Sequence, residues 1–141
     1  MKSLKVRQLT AVLISGCLAI PAGCGPSRVD ERNVLQVLQS RVSALNQRNI
    51  NLYMPLISAN YHDKGKDLAQ LKNALAAGFK IYEKIEYRPN EQNISIRGLK
   101  ADVNGSYRMK VVIRGHEMVL DGKEHLELVK EPSGWKITAG L

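Results

Sequence analysis

One stretch limits the possible folds more than any other. From Ala101 the chain alternates: Ala101, Val103, Gly105, Tyr107, Met109, Val111 and Ile113 fall on one side, and Asp102, Asn104, Ser106, Arg108 and Lys110 on the other. Successive side chains of a strand point to opposite faces, so this is a strand with one dry and one wet side. That pattern marks an antiparallel sheet with one face solvated. Its neighbours follow the same period. Ile85, Tyr87, Ile94 and Ile96 mark a long strand, interrupted at Arg88-Pro89-Asn90. Proline cannot donate to a ladder, so a bulge or bend is expected there. Gly98-Leu99-Lys100 turns the chain, and Arg114-Gly115-His116 opens the next turn region. Leu126 and Leu128 point inward on a third strand. Pro132-Ser133-Gly134 turns again, and Trp135, Ile137, Ala139 and Leu141 close the sheet.

The helices come first. Ser27 caps a helix with Asp30 near its positive end. Val34, Leu35, Leu38, Val42 and Leu45 recur at helical spacing to about Gln47, with Gln36, Gln39, Arg41 and Arg48 assigned to the outer face. Ile50 to Ile57 predicts a short second helix with Leu52, Tyr53, Leu56 and Ile57 inward, and Pro55 near its first turn. An extended piece, Ser58 to Gly65, leads to Asp67 and Gln70, a capping-box-like start for a third helix. Leu68, Leu71, Leu75, Phe79 and Tyr82 hold one face of it.

Ahead of all this lies a leader. Lys2, Lys5 and Arg7 precede a largely apolar run from Leu9, which ends in small residues and a cysteine. That is the layout of a secretory signal. Its apolar stretch is shorter than the roughly 20 residues a membrane span needs. With a cysteine at the cut, it resembles a bacterial lipoprotein signal. Ile14-Ser15-Gly16-Cys17 matches the lipidation pattern fully, and Pro21-Ala22-Gly23-Cys24 matches it except at Pro21, where the family prefers Leu. A cut before Cys17 leaves an apolar core shorter than the usual ~7–15 residues, and it leaves Cys24 without a partner. Cys24 is therefore the expected lipidation site and Cys17 the alternative. The organisation that follows is a signal peptide over 1–23, a lipidated cysteine and short tether over 24–29, and one domain over 30–141. The resemblance implies an exported, envelope-bound lipoprotein held to the bilayer by covalent lipid. Gly25 in place of Asp points to the outer membrane, facing the periplasm, in a Gram-negative cell.

Three of the 21 Lys and Arg lie in the leader, which holds none of the 13 Asp and Glu, so the remainder carries +5. The excess is spread out. Without basic clusters interleaved with aromatics, nucleic acid is not an expected partner.

Three helices followed by a meander of bent strands, with Tyr61-His62-Asp63 before the third helix, Gly98-Leu99-Lys100-Ala101-Asp102-Val103 at the strand turn, and Leu126-Glu127-Leu128-Val129-Lys130 leading to Gly134-Trp135-Lys136-Ile137, resemble the nuclear transport factor 2-like superfamily with its SnoaL-like members. The resemblance implies an α+β fold: three N-terminal helices on a strongly curved antiparallel sheet, a cystatin-like cone. The sheet is expected to wrap the third helix and leave a concave pocket. Members include enzymes and binding domains, so fold does not settle function.

Family enzymes place an acid or base near the piece before the third helix, which makes His62 and Asp63 catalytic candidates. Both also suit a solvated turn, and in an extended segment only one can face a pocket. Period two with Leu126 and Leu128 turns Glu124 inward; the other reading leaves it at a wet rim. A buried carboxylate needs a partner, with Tyr107, Tyr53 or Arg108 in reach. Tyr53, Tyr61, Tyr82, Tyr107 and Trp135 are pocket-lining candidates, although aromatics at strand and helix spacing are more often core. His125 falls opposite Glu124, so with His116 they do not converge as a metal site would require. No phosphate loop or nucleophile constellation stands out, and no cofactor or metal is expected. The expectation is a non-enzymatic domain binding a small apolar ligand or an envelope protein. The alternatives are a small isomerase or dehydratase with a pocket carboxylate as base, and a structural homodimer module.

Overall fold

The computed structural model describes residues 27–141. The leader, Cys17 and Cys24 lie outside them. The first helix, α1, spans Arg28–Asn46, with the Ser27 side chain accepting from the Val29 N–H and Asp30 and Glu31 in its first turn. These satisfy one orphan N–H and complement the helix dipole. Arg48, at a φ of 51°, ends the run. The Asn49 side chain accepts from the N–H groups of Asn51 and Leu52 and so starts α2, Ile50–Tyr53. A 3-10 turn, Met54–Leu56, takes Pro55 in its first positions. Two short strands, β1 (His62–Asp63) and β2 (Lys66–Asp67), pair antiparallel around Lys64-Gly65. Asp67 and Gln70 form the reciprocal capping box of α3, Leu68–Ile81.

Four strands follow: β3 (Lys84–Arg97), β4 (Lys100–Ile113), β5 (His116–Glu131) and β6 (Gly134–Ala139). They form one antiparallel sheet in the order β3-β4-β5-β6. The register of β3 on β4 slips between Pro89 and Gln92, where the proline breaks the ladder. Opposite the slip stands Gly105, where a Cβ would lie 2.8 Å from the Glu91 carbonyl oxygen. Only glycine lets the bulged backbone come that close.

The core lies between α1 and the dry face of the sheet. Val34, Leu38, Ala44 and Leu45 are buried with Ile85, Tyr87, Ala101, Val103, Val111, Leu126, Leu128, Trp135 and Ile137. Three expectations need correction. Leu35 and Leu52, assigned inward, are 38% and 47% exposed. Arg41, assigned outward, is buried at 8%. It sits three residues after Leu38 and four before Leu45, on the inward stripe, and it reaches partners there. The third concerns which helix the sheet wraps. The helix packed on the sheet is α1, against β3 and β6, while the near neighbours of α3 are α2 and β2. Leu71 of α3 joins the core and Leu75 and Phe79 pack against its edge, while the same face of the helix lines a gap before the sheet.

Candidate functional site

That gap is a solvent-open cavity of about 790 Å³. On the α3 side it is walled by Leu71, Ala74, Leu75, Gly78 and Phe79, and on the sheet side by Ile85 and Met109. Arg41, Tyr53, Tyr87, Tyr107 and Glu124 supply the polar surface, and Asp63, Lys64, Lys66 and Lys123 also line it.

Arg41 organises the polar part. Its Nε donates to the Tyr53 hydroxyl at 3.2 Å, and its Nη1 donates to the Tyr87 hydroxyl at 3.1 Å and to Glu124 Oε2 at 3.0 Å. The guanidinium carbon also sits 5.0 Å from the Tyr87 ring centre, within cation–π range. Glu124 has its other oxygen engaged as well, since Oε1 accepts from Gln92 at 3.2 Å. The side chains of this pair are 10% and 4% exposed. A buried ion pair holds only when its remaining donors and acceptors are met, and here Tyr53 on α2 and Tyr87 and Gln92 on β3 meet most of them. Nη2 of Arg41 has no partner among the described residues, yet it is absent from the buried unsatisfied atoms. It is thus an unclaimed donor on a residue that lines the cavity.

The neighbours are fixed in turn. The Asn46 amide clamps the backbone of Tyr87, accepting from its N–H at 2.6 Å and donating to its carbonyl at 3.3 Å. The Tyr87 and Tyr107 rings lie 5.3 Å apart. Tyr107 lies over Gly122, where a Cβ would be 2.6 Å from the phenol. Burial works against the charge of Arg41, but the phenols of Tyr53 and Tyr87 and the carboxylate of Glu124 outweigh it and hold the guanidinium above its ordinary range. Burial pushes the Tyr87 phenol up, with Glu124 adding to the effect and Arg41 opposing it.

The cavity brings together Asp63, Glu124, Tyr53, Tyr82 and Tyr107. It leaves out His62, which is exposed on β1. Tyr61 is buried elsewhere and donates to the Leu141 carbonyl at 3.2 Å; burial, with the Asp63 carboxylate nearby, pushes its phenol up. Trp135 is core, its indole N–H donating to Asp30 at 3.1 Å. Glu124 is not at a wet rim. Its partner is none of those expected, because Arg108 lies on the outer face and pairs with Asp121 at 2.8 Å. Arg41, Tyr87 and Gln92 are the members that sequence reasoning missed. A signal for Arg41 existed: it sits on the apolar stripe of α1 while period two turns an acid inward on β5. Asp63 is inside with one oxygen, Oδ2, buried and lacking a hydrogen bond. The nearest cation to it is Lys64 Nζ at 3.7 Å. Among the described residues no three His, Cys, Asp or Glu converge as metal ligands, and no helix is long and apolar enough to cross a membrane.

No protein-family model and no curated protein matches this sequence. Solved structures do match the fold. A nuclear transport factor 2-like superfamily protein from Salmonella enterica superposes with a TM-score of 0.72 at 16% identity, over 79% of this chain and 88% of that one. A proposed dehydratase of the same family from Streptomyces avermitilis gives 0.69 at 13% identity, over 79% and 94%. A proposed aromatic ring hydroxylase from Novosphingobium aromaticivorans gives 0.74 at 12% identity, over 82% and 89%. The chain thus has the α+β cone of nuclear transport factor 2-like proteins.

Proposed function

We propose that this chain is an exported lipoprotein, anchored through lipid on Cys24, whose cone binds a small apolar molecule bearing one hydrogen-bond acceptor and leaves it unchanged. The anchor rests on the leader. The binding role rests on one observation: the cavity floor is an ion pair that satisfies itself and still presents Arg41 Nη2. Both oxygens of Glu124 are engaged, which leaves it little capacity to take a proton from a substrate. Because Glu124 already neutralises Arg41, a neutral acceptor suits Nη2 better than a second carboxylate would. Native mass spectrometry of the protein, extracted in mild detergent from the producing cell, tests this. A stoichiometric extra mass is expected, and it is lost in Leu75→Trp, which fills the cavity away from the Arg41 network. Specific turnover of that molecule sinks the non-enzymatic reading. Lipid mass on the N-terminal peptide is expected to survive Cys17→Ala and to vanish in Cys24→Ala.

One observation favours a second reading, a small isomerase or dehydratase. A general base must lie within reach of the proton it takes, and Asp63 lines the cavity with an oxygen, Oδ2, that no hydrogen bond claims. Under this reading Asp63→Asn abolishes turnover while leaving ligand binding in place.

A further inference from the structure

The end of the domain that carries the start of α1 is built from three pieces joined at Lys130. Its backbone N–H donates to the Leu99 carbonyl at 2.8 Å, and its ammonium pairs with Asp30 in the first turn of α1 at 2.6 Å. The tip of the β3–β4 hairpin and the first turn of α1 therefore share one end of the molecule. Two large apolar side chains stand in solvent there, Leu99 at 64% and Val29 at 52% exposed. Arg28, Arg32 and Lys100 are exposed beside them in the chain, with Glu31 the one exposed acid of that turn, and none of the four is in an ion pair among the described residues. Exposed aliphatics among unpaired basic groups match the interface of a bilayer, where apolar side chains enter the headgroup boundary and basic ones meet anionic lipid.

We infer that this end, with Leu99, Val29, Arg28 and Lys100, rests on a bilayer bearing anionic headgroups. The inference rests on the anchor reading, because only Gly25, Pro26 and Ser27 separate Cys24 from Arg28. Four steps of extended chain reach about 14 Å, so lipid on Cys24 keeps this end within reach of the headgroups. The opposite end of β5 serves as the control. Val119, exposed there with Met118 and Leu120, lies about 35 Å along the strand from Lys130, at roughly 3.3 Å per residue, so that end is equally apolar but beyond the reach of the tether.

The test uses the full lipidated chain in vesicles. Cys17 leaves with the leader and Cys24 is blocked by lipid, so Leu99→Cys and Val119→Cys each offer one thiol for a nitrobenzoxadiazole label. The expected result has three parts: lipid mass on Cys24, iodide quenching at position 99 well below that at 119 in vesicles containing phosphatidylglycerol, and a return toward the 119 value when Arg28→Glu and Lys100→Glu are added. Lipid on Cys24 with equal quenching at both positions overturns the docking face and leaves the anchor standing. Protection at 99 that is just as strong on pure phosphatidylcholine overturns the role of headgroup charge. Absence of lipid on Cys24 overturns the anchor and the inference together.

Discussion

Replacing Glu124 by leucine leaves the Arg41 guanidinium buried without its counter-ion. Breaking a buried pair by removing one partner costs about 3–5 kcal/mol. Arg41 keeps its two phenol acceptors and the Tyr87 ring, which places the expected cost near the lower end, ~3 kcal/mol. With an unfolding entropy of ~2.1 cal/mol/K per residue over the described part, that lowers Tm by about 12 °C. Arg41→Met is the informative complement. The carboxylate it strands can accept a proton, whereas the guanidinium stranded by Glu124→Leu cannot lose one. A buried carboxylate without its cation favours the protonated form in the fold, so its penalty is felt above the ordinary Glu range and fades as pH falls. Urea unfolding followed by circular dichroism at pH 7 and pH 4.5 reads both effects. The expected pattern is a penalty for Arg41→Met that shrinks at pH 4.5, a penalty for Glu124→Leu that does not, and a double variant less impaired than the sum of the two. A Glu124→Leu cost below about 1 kcal/mol, the level of a solvent-exposed pair, refutes the view that this pair is buried and mutually dependent.

Gly122→Ala forces a Cβ to within 2.6 Å of Tyr107 and is expected to cost about 1–3 kcal/mol through overpacking; thermal melts that show rescue by Tyr107→Leu confirm the cause. The hydrogen bond from Lys130, and then that from Trp135, holds the Asp30 carboxyl below its ordinary range. The stability it adds is present above the usual Asp range and lost as pH falls through the lowered value, so Trp135 emission is expected to change in that acid window and to be insensitive to it in Asp30→Asn. Asp67→Ala removes one half of the capping box of α3 and is expected to cost ~1 kcal/mol, read as a lower urea midpoint with an unchanged slope.

Much of the frame was legible because it depends on local rules. The alternation from Ala101 to Ile113 became β4, and the proline at position 89 became a slip in register. Ser27 and the Asp67–Gln70 pair cap helices where their spacing placed them. The site was harder to read. Arg41 was assigned to the surface by residue type even though its position fell on the apolar stripe, because nothing local indicates that two phenols and a carboxylate lie within reach. Tyr87 was read as a strand residue, which it is, but its hydroxyl matters only once α1 crosses β3. Tyr61 and Trp135 looked like pocket aromatics and are core, because aromatic type does not distinguish an inner wall from packing. That α1 rather than α3 lies on the sheet follows from long-range pairing, which a helical period cannot encode.

The span of those pairings sets an order of assembly. Arg41 meets Glu124 across 83 residues, and Asp30 meets Trp135 across 105. Ser58 takes its backbone partner from Ile137 in the final strand. Closing a loop of about 100 residues costs roughly 2 kcal/mol more than closing one of 10, and chains dominated by distant contacts fold slowly. The first helix of the domain is therefore fully covered only when β6 arrives, although β3 meets it earlier. Until β6 arrives part of its apolar stripe stays open, with a charged side chain in the middle. A chain cut before β6 is expected to leave part of that stripe in solvent.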